Sequence, residues 1–193
     1  MNEQDETQAS EIYKRIKLSN FLLLTSQGII FIHSGQEKGR TKLAVSQNSK
    51  NIAQFCFDSY NTADSVNAFD WKFSKNQQKL FNYMCSLIEF RKNCDIFSLG
   101  TIEKIEQCTK LCKDLCKENL LVYCINYKKK NWFIIANAST NAQKIPLVLK
   151  NAKVYVDTSG ASLKPLPTPQ GIVFEKNAIT VEALSAFVIS GKV

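Results

Sequence analysis

Four consecutive residues, Ile29-Ile30-Phe31-Ile32, form an unbroken apolar and largely β-branched run with no alternation. A strand of that kind is buried on both faces, as in a parallel sheet or a barrel, because a strand with one wet face alternates apolar and polar residues. Gly35 and the polar residues after it mark where the strand opens into a loop. Upstream, Ser10 suits the N-cap of a helix presenting Ile12, Ile16 and Leu23 on one side. Downstream, Ser74 and Gln77 have capping-box spacing before a helix whose Leu80, Phe81, Met84, Leu87 and Ile88 make one stripe. Helix, strand, helix is the α/β idiom, yet a strand buried on both faces needs neighbours that this sequence does not supply. The segment from about Lys38 to Phe73 reads as a long loop, and loops of such length are often functional.

The pattern changes near Asn93. A short helix, about Ile102 to Lys117, is predicted before strand-like segments at Leu120 to Tyr127, Trp132 to Ala138, Lys144 to Leu149, Lys153 to Val156, Gly171 to Phe174 and Ile179 to Ile189. Asn141, Ser159-Gly160 and Pro165 to Pro169 punctuate them, and short strands at such spacing predict an antiparallel sandwich.

Charge and cysteine usage narrow the function classes. The net charge of +8 is spread along the chain, and its one run, Lys128-Lys129-Lys130, reads as a solvated hairpin tip, so nucleic acid is not the expected partner. No apolar stretch is long enough to span a bilayer, and membrane partners are not expected. The residues after Met1 are polar and acidic, which predicts a cytoplasmic chain if Met1 is the true start. Seven cysteines, an odd number, argue against a complete disulfide framework. Cys108, Cys112 and Cys116 are spaced by four rather than by the two usual between metal-binding cysteines. They are expected to line one helix face with Ile105 and Leu115, and Cys56, Cys85, Cys94 and Cys124 complete no ligand set, so neither metal nor cofactor is expected.

The order of motifs carries a family resemblance. The stretch from Leu24 to Glu37 resembles the eighth barrel strand of the α-amylase superfamily, where Gly-Ile-Pro-Phe, His, Ala-Gly and Glu recur in that order. Arg40-Thr41-Lys42, the segment Ser59 to Trp71 and the helix ending Arg91-Lys92 are similar to pullulanases. So are Gly100 to Ile105, Val122-Tyr123, Trp132 to Ala138 and the closing Val181 to Ile189, and the likeness runs from about residue 10 to 189. Departures are Ile30 for Pro, Ser34 for Ala, Lys38 for an aromatic residue and Asp58 for Asn, while the segment Leu43 to Phe57 fits no pattern.

The resemblance implies an α/β plus all-β chain: residues 1–93 as the terminal helix–strand–helix of a (β/α)8 barrel with a long rim loop, and 94–193 as an antiparallel β-sandwich domain. It implies a C-terminal piece of an α-1,6-glucan debranching hydrolase. Retaining hydrolysis needs two carboxylates roughly 5–5.5 Å apart. In the resembled family these acids and a third stabilising Asp belong to strands that precede Met1, so no catalytic residue is expected here and the isolated chain is expected to be inactive. Glu37, just past the barrel-type strand, is the first acid to suspect without the family, and is expected instead to hold the rim. Asp64 and Asn67 are the expected sugar-binding residues, with Tyr60 as a stacking platform. The alternative is that the two polar side chains tie their own loop. Trp71 is expected to pack, and His33, the only histidine, to be satisfied and partly buried.

The expected partners are an α-glucan, only together with the missing barrel portion, and a complementary N-terminal chain. The rival reading is a non-catalytic carbohydrate-binding or scaffold module, for which Trp132 is the available aromatic. Residues 1–93 alone are expected to be loosely packed, and the later residues to fold.

Overall fold

Two-sided burial does occur in this chain, but in its second half. The computed structural model describes residues 3–43, 55, 56 and 58–193, with side chains from residue 10 onward. Strands β1 (Thr109–Leu111), β2 (Leu120–Tyr127), β3 (Lys130–Asn137), β5 (Lys150–Val156) and β8 (Ser185–Lys192) form an antiparallel sheet in the order β1-β2-β3-β8-β5. A second antiparallel sheet runs β4-β7-β6, from Gln143–Ile145, Ile179–Val181 and Ile172–Phe174. Leu120, Val122, Phe133, Ile135, Phe187 and Ile189 meet Ile145, Ile179 and Val181 in the core between the two sheets. The two antiparallel sheets with a shared core agree with the sandwich expectation.

The opposite face of the large sheet is covered by helices. Helix α1 (Glu3–Thr25) contributes Leu18, Phe21 and Leu24, and α3 (Lys75–Asn93) contributes Tyr83, Met84, Leu87 and Phe90, to a core with Ile125, Ile134 and Val188. The pleat sorts β3 by parity: Trp132, Ile134 and Ala136 face the helices while Phe133 and Ile135 face the small sheet. A bulge in β5 breaks that alternation, so Val154 points to one core and both Tyr155 and Val156 to the other. The helices of the first half and the sheet of the second are therefore packed on one another.

The run Ile29 to Ile32 is not a strand. No backbone pairing joins it to any described strand, Ile29 is 100% exposed and Phe31 89% exposed. None of the described strands lies beside the segment, although Ile30 packs against the helix-side core. His33 is exposed rather than partly buried.

Other boundaries shift for local reasons. Helix α1 starts before Ser10, and its buried face is Leu18, Phe21 and Leu24, with Ile12 exposed. Ser74 and Gln77 form the expected capping box, bonding reciprocally to each other's backbone. Helix α4 (Ile102–Cys108) stops where β1 pairs Thr109 with Ile125, so Cys108, Cys112 and Cys116 do not share a helix face. Cys108 packs toward the helix-side core and Cys112 and Cys116 toward the inter-sheet core. The last strand-like run breaks into β7 and β8 at Leu184, whose φ of 50° turns the chain between sheets. The described part of the long loop contains a 3-10 turn at Gln36–Lys38 and the short α2 (Asp64–Asn67). Most of the segment Leu43 to Phe57 lies outside the described residues.

Candidate substrate-binding loop

The candidate site is a surface loop, residues 58–73, held against the turn that follows the open segment. Gly35 (φ 98°) and Gly39 (φ 69°) bracket the 3-10 turn in left-handed backbone. A Cβ on Gly35 would sit 2.5 Å from the Arg40 side chain, and one on Gly39 3.2 Å from Ile16. Gln36 Nε2 donates to the buried Asn20 Oδ1 at 2.8 Å, docking the turn on α1. Glu37 Oε2 accepts the Gly35 amide at 2.9 Å. This acid stabilises the turn it belongs to.

Three alternate cations then clamp the loop. Lys38 is buried, and its ammonium donates to the carbonyls of Asp70 and Lys72 while lying 4.5 Å from the Phe73 ring centroid and 5.3 Å from that of Phe69. Burial of a charge is tolerated only with such compensation. Arg40 Nη2 donates to the Asn67 carbonyl at 2.5 Å. Lys42 Nζ donates to Ser59 Oγ at 2.7 Å and Asn67 Oδ1 at 3.0 Å. The Lys38 ammonium thus lies close to two rings, a role its residue type does not announce.

Asn67 is occupied inside the loop. Its Nδ2 donates to Ser59 O (2.7 Å), Thr62 O (3.0 Å) and Thr62 Oγ1 (2.9 Å), and its Oδ1 accepts from Lys42. Asn67 thereby shapes the turn that lifts Tyr60, which is 85% exposed. Asp64 opens α2 with its side chain exposed. The structure thus places Tyr60, Asp64 and Asn67 on one loop, with Tyr60 and Asp64 facing solvent and Asn67 turned inward. Trp71, expected to pack, is 79% exposed with its ring 4.6 Å from Phe69. The run Phe69-Asp70-Trp71-Lys72-Phe73 spaces its rings by two, which in extended backbone would put all three on one face, so nothing local announces the exposure of Trp71. Trp132 is buried against Tyr155 beneath the Lys130 ammonium, which removes it as a surface platform for the carbohydrate-module reading.

Beyond the loop, Arg91 holds the base of the open segment. Its guanidinium donates to the carbonyls of Leu24 (2.6 Å), Ser26 (2.7 Å), Gly28 (2.8 Å) and Phe97 (3.0 Å). Burial lowers its pKa from the usual arginine value. Tyr123 donates to Thr25 O at 3.0 Å, and burial pushes its phenol up to about 12. Among the described residues, no group of three or more His, Cys, Asp or Glu side chains is arranged to hold a metal ion.

No family model matches the chain. Among curated proteins it is similar to pullulanase A of Streptococcus pneumoniae, 29% identical over 221 residues, covering 93% of this chain and 18% of the relative. Among solved structures it resembles the catalytic module of a multi-modular glycogen-degrading pneumococcal virulence factor, with a TM-score of 0.85 and 26% identity over 100% of this chain and 33% of the other. It also resembles a Group B Streptococcus pullulanase solved in complex with maltotetraose, with a TM-score of 0.79 and 28% identity over 97% of this chain and 29% of the other. The chain therefore spans about a fifth of the length of the curated relative it matches. Sequence likeness along nearly the whole chain and a shared fold lead to one conclusion: the chain is similar to a part of those longer pullulanases.

Proposed function

We propose that the chain forms the closing part of a pullulanase-type hydrolase acting on α-1,6 branches of α-glucans, and that it is inactive by itself. The observation that carries this reading is the open segment from Gly28 to His33: largely apolar, exposed at Ile29 and Phe31 and without a neighbouring strand among the described residues, at the position that the family resemblance gives to the eighth strand of a (β/α)8 barrel. Exposed Ile29 and Phe31 are costly in water, and strands on either side would bury them while pairing the open backbone between. A complementary N-terminal portion would supply those strands together with the catalytic carboxylates.

In the assembled enzyme the loop 58–73 lies beside the barrel mouth and contacts substrate. Tyr60 and Trp71 offer apolar faces to sugar rings, and Asp64 accepts hydroxyl hydrogen bonds. Asn67 acts through the loop, fixing where Tyr60 stands. The complex of the Group B Streptococcus relative with maltotetraose supports an α-glucan as the ligand.

The test is complementation. The 193-residue chain is mixed with a separately produced barrel portion from a pullulanase relative, and reducing ends released from pullulan are measured. Turnover by the mixture and by neither part alone is expected. Turnover by this chain alone, or failure of the two parts to associate, would overturn the proposal.

A further inference from the structure

Three strands finish at one margin of the large sheet, far along the chain from the glucan-facing loop: β3 begins at Lys130, β5 begins at Lys150 and β8 ends at Lys192. They surround a shallow cavity of about 210 Å³. Five lysines line it, Lys129, Lys130, Lys150, Lys153 and Lys192, with asparagine, serine and glycine between them and no acidic side chain.

The local structure sustains this charge against two penalties. Lys150 lies directly opposite Lys192 across the β5–β8 ladder, and like charges at paired positions are destabilising. The β2–β3 hairpin turns on Lys128 and Lys129 with φ of 50° and 61°, positions where Asn-Gly is the favoured pair. Nearby cations do have partners: Lys128 pairs with Asp95 at 2.6 Å. None of the ion pairs among the described residues includes a lysine of the cavity. Lys130 is turned inward, donating to Tyr155 Oη at 3.0 Å over the face of Trp132, which leaves the exposed Lys129, Lys150, Lys153 and Lys192 around the cavity. Concentrated like charge in a concavity raises the local potential and is relieved by a bound anion.

We infer that this cavity is a binding site for a phosphoryl group carried by a small molecule. Its volume is below the roughly 300–1,000 Å³ of sites that enclose drug-sized ligands, so it suits a phosphate or diphosphate moiety rather than a whole nucleotide. Inorganic pyrophosphate and a sugar phosphate present the same chemistry, with several acceptor oxygens and at least a double negative charge. The site is independent of the proposed glucan-facing loop, and its occupancy does not require a complementary barrel portion.

The experiment titrates the full chain with pyrophosphate and, separately, with glucose 6-phosphate, following the amide resonances of Ser190, Gly191 and Asn131 against a chloride control of matched ionic strength. Saturable shifts with either ligand support the site, and whichever binds more tightly identifies the carrier. A triple variant, Lys150→Gln, Lys153→Gln and Lys192→Gln, removes exposed side chains and is expected to retain the fold while losing at least tenfold in affinity. The proposal is overturned by shifts equal to those of chloride, by unchanged affinity in the triple variant, or by affinity that climbs with the length of an oligonucleotide, which would mark a general polyanion surface.

Discussion

The guanidinium of Arg91 donates to the carbonyl of Gly28 at 2.8 Å while also satisfying the carbonyls at the end of α1, so one side chain both caps a helix and fixes where the open segment begins. Replacing Arg91 by Ala removes a charged donor from four carbonyls and is expected to destabilise the chain by about 3 kcal/mol, given ~1.5–3 kcal/mol for hydrogen bonds to charged groups. Lys recovers little, since it lacks the planar fork. Urea midpoints of the two variants check this; a shift in neither would show the hub to be energetically idle.

Phe21 sits with Met84, Leu87, Ile134 and Val188 in one core that spans helix and sheet. Phe21→Ala is expected to cost about 3–5 kcal/mol. Near-ultraviolet and far-ultraviolet signals should lose structure together, because the helices and the sheet share the damaged contacts. Separate transitions would show that the two parts fold independently.

The alkaline limb of stability should carry a tyrosine signature. The Tyr123 phenol rises from 10.0 to about 12 in the folded chain because burial opposes its ionisation. The contribution is intact below pH 10 and is lost as pH rises toward 12, since the unfolded chain ionises first. Tyr123→Phe should therefore lose less stability between pH 9 and about 11.5 than the parent chain. Parallel slopes would exclude the assignment.

Tyr60 and Trp71 are exposed, so Tyr60→Ala and Trp71→Ala should leave the unfolding midpoint within about 0.5 kcal/mol of the parent. In the complemented enzyme each is expected to raise KM for pullulan roughly tenfold, the loss of ~1.4 kcal/mol of contact. Asn67→Ala should act differently, lowering thermal stability as well, because its amide ties Ser59 to Thr62. Identical behaviour of all three would undo the separation of contact from positioning.

What could be read in advance was what is decided locally. Ser74 and Gln77 announce the start of α3 because a capping box is complete within one turn. Spacing by four misled at Cys108, Cys112 and Cys116: it fits a helix face, but the backbone of Thr109 is claimed by a partner at Ile125 that lies far along the chain. Neither the buried ammonium of Lys38 nor the exposure of Trp71 follows from nearby residues, since both depend on how residues 35–42 meet 58–73. The run Ile29 to Ile32 is a different case. Its composition describes a buried environment, and none of the described strands lies beside it.

That open segment is tethered at both ends. Arg91 holds Gly28, and the turn after it closes with the Gln36 amide on the His33 carbonyl at 2.9 Å. Only the few residues between these anchors would have freedom left to surrender if flanking strands were supplied. Most of the ordering penalty of association has been met in advance by folding, so a partner would encounter a nearly finished template, and affinity would be set by side-chain fit rather than by the work of straightening a loose chain.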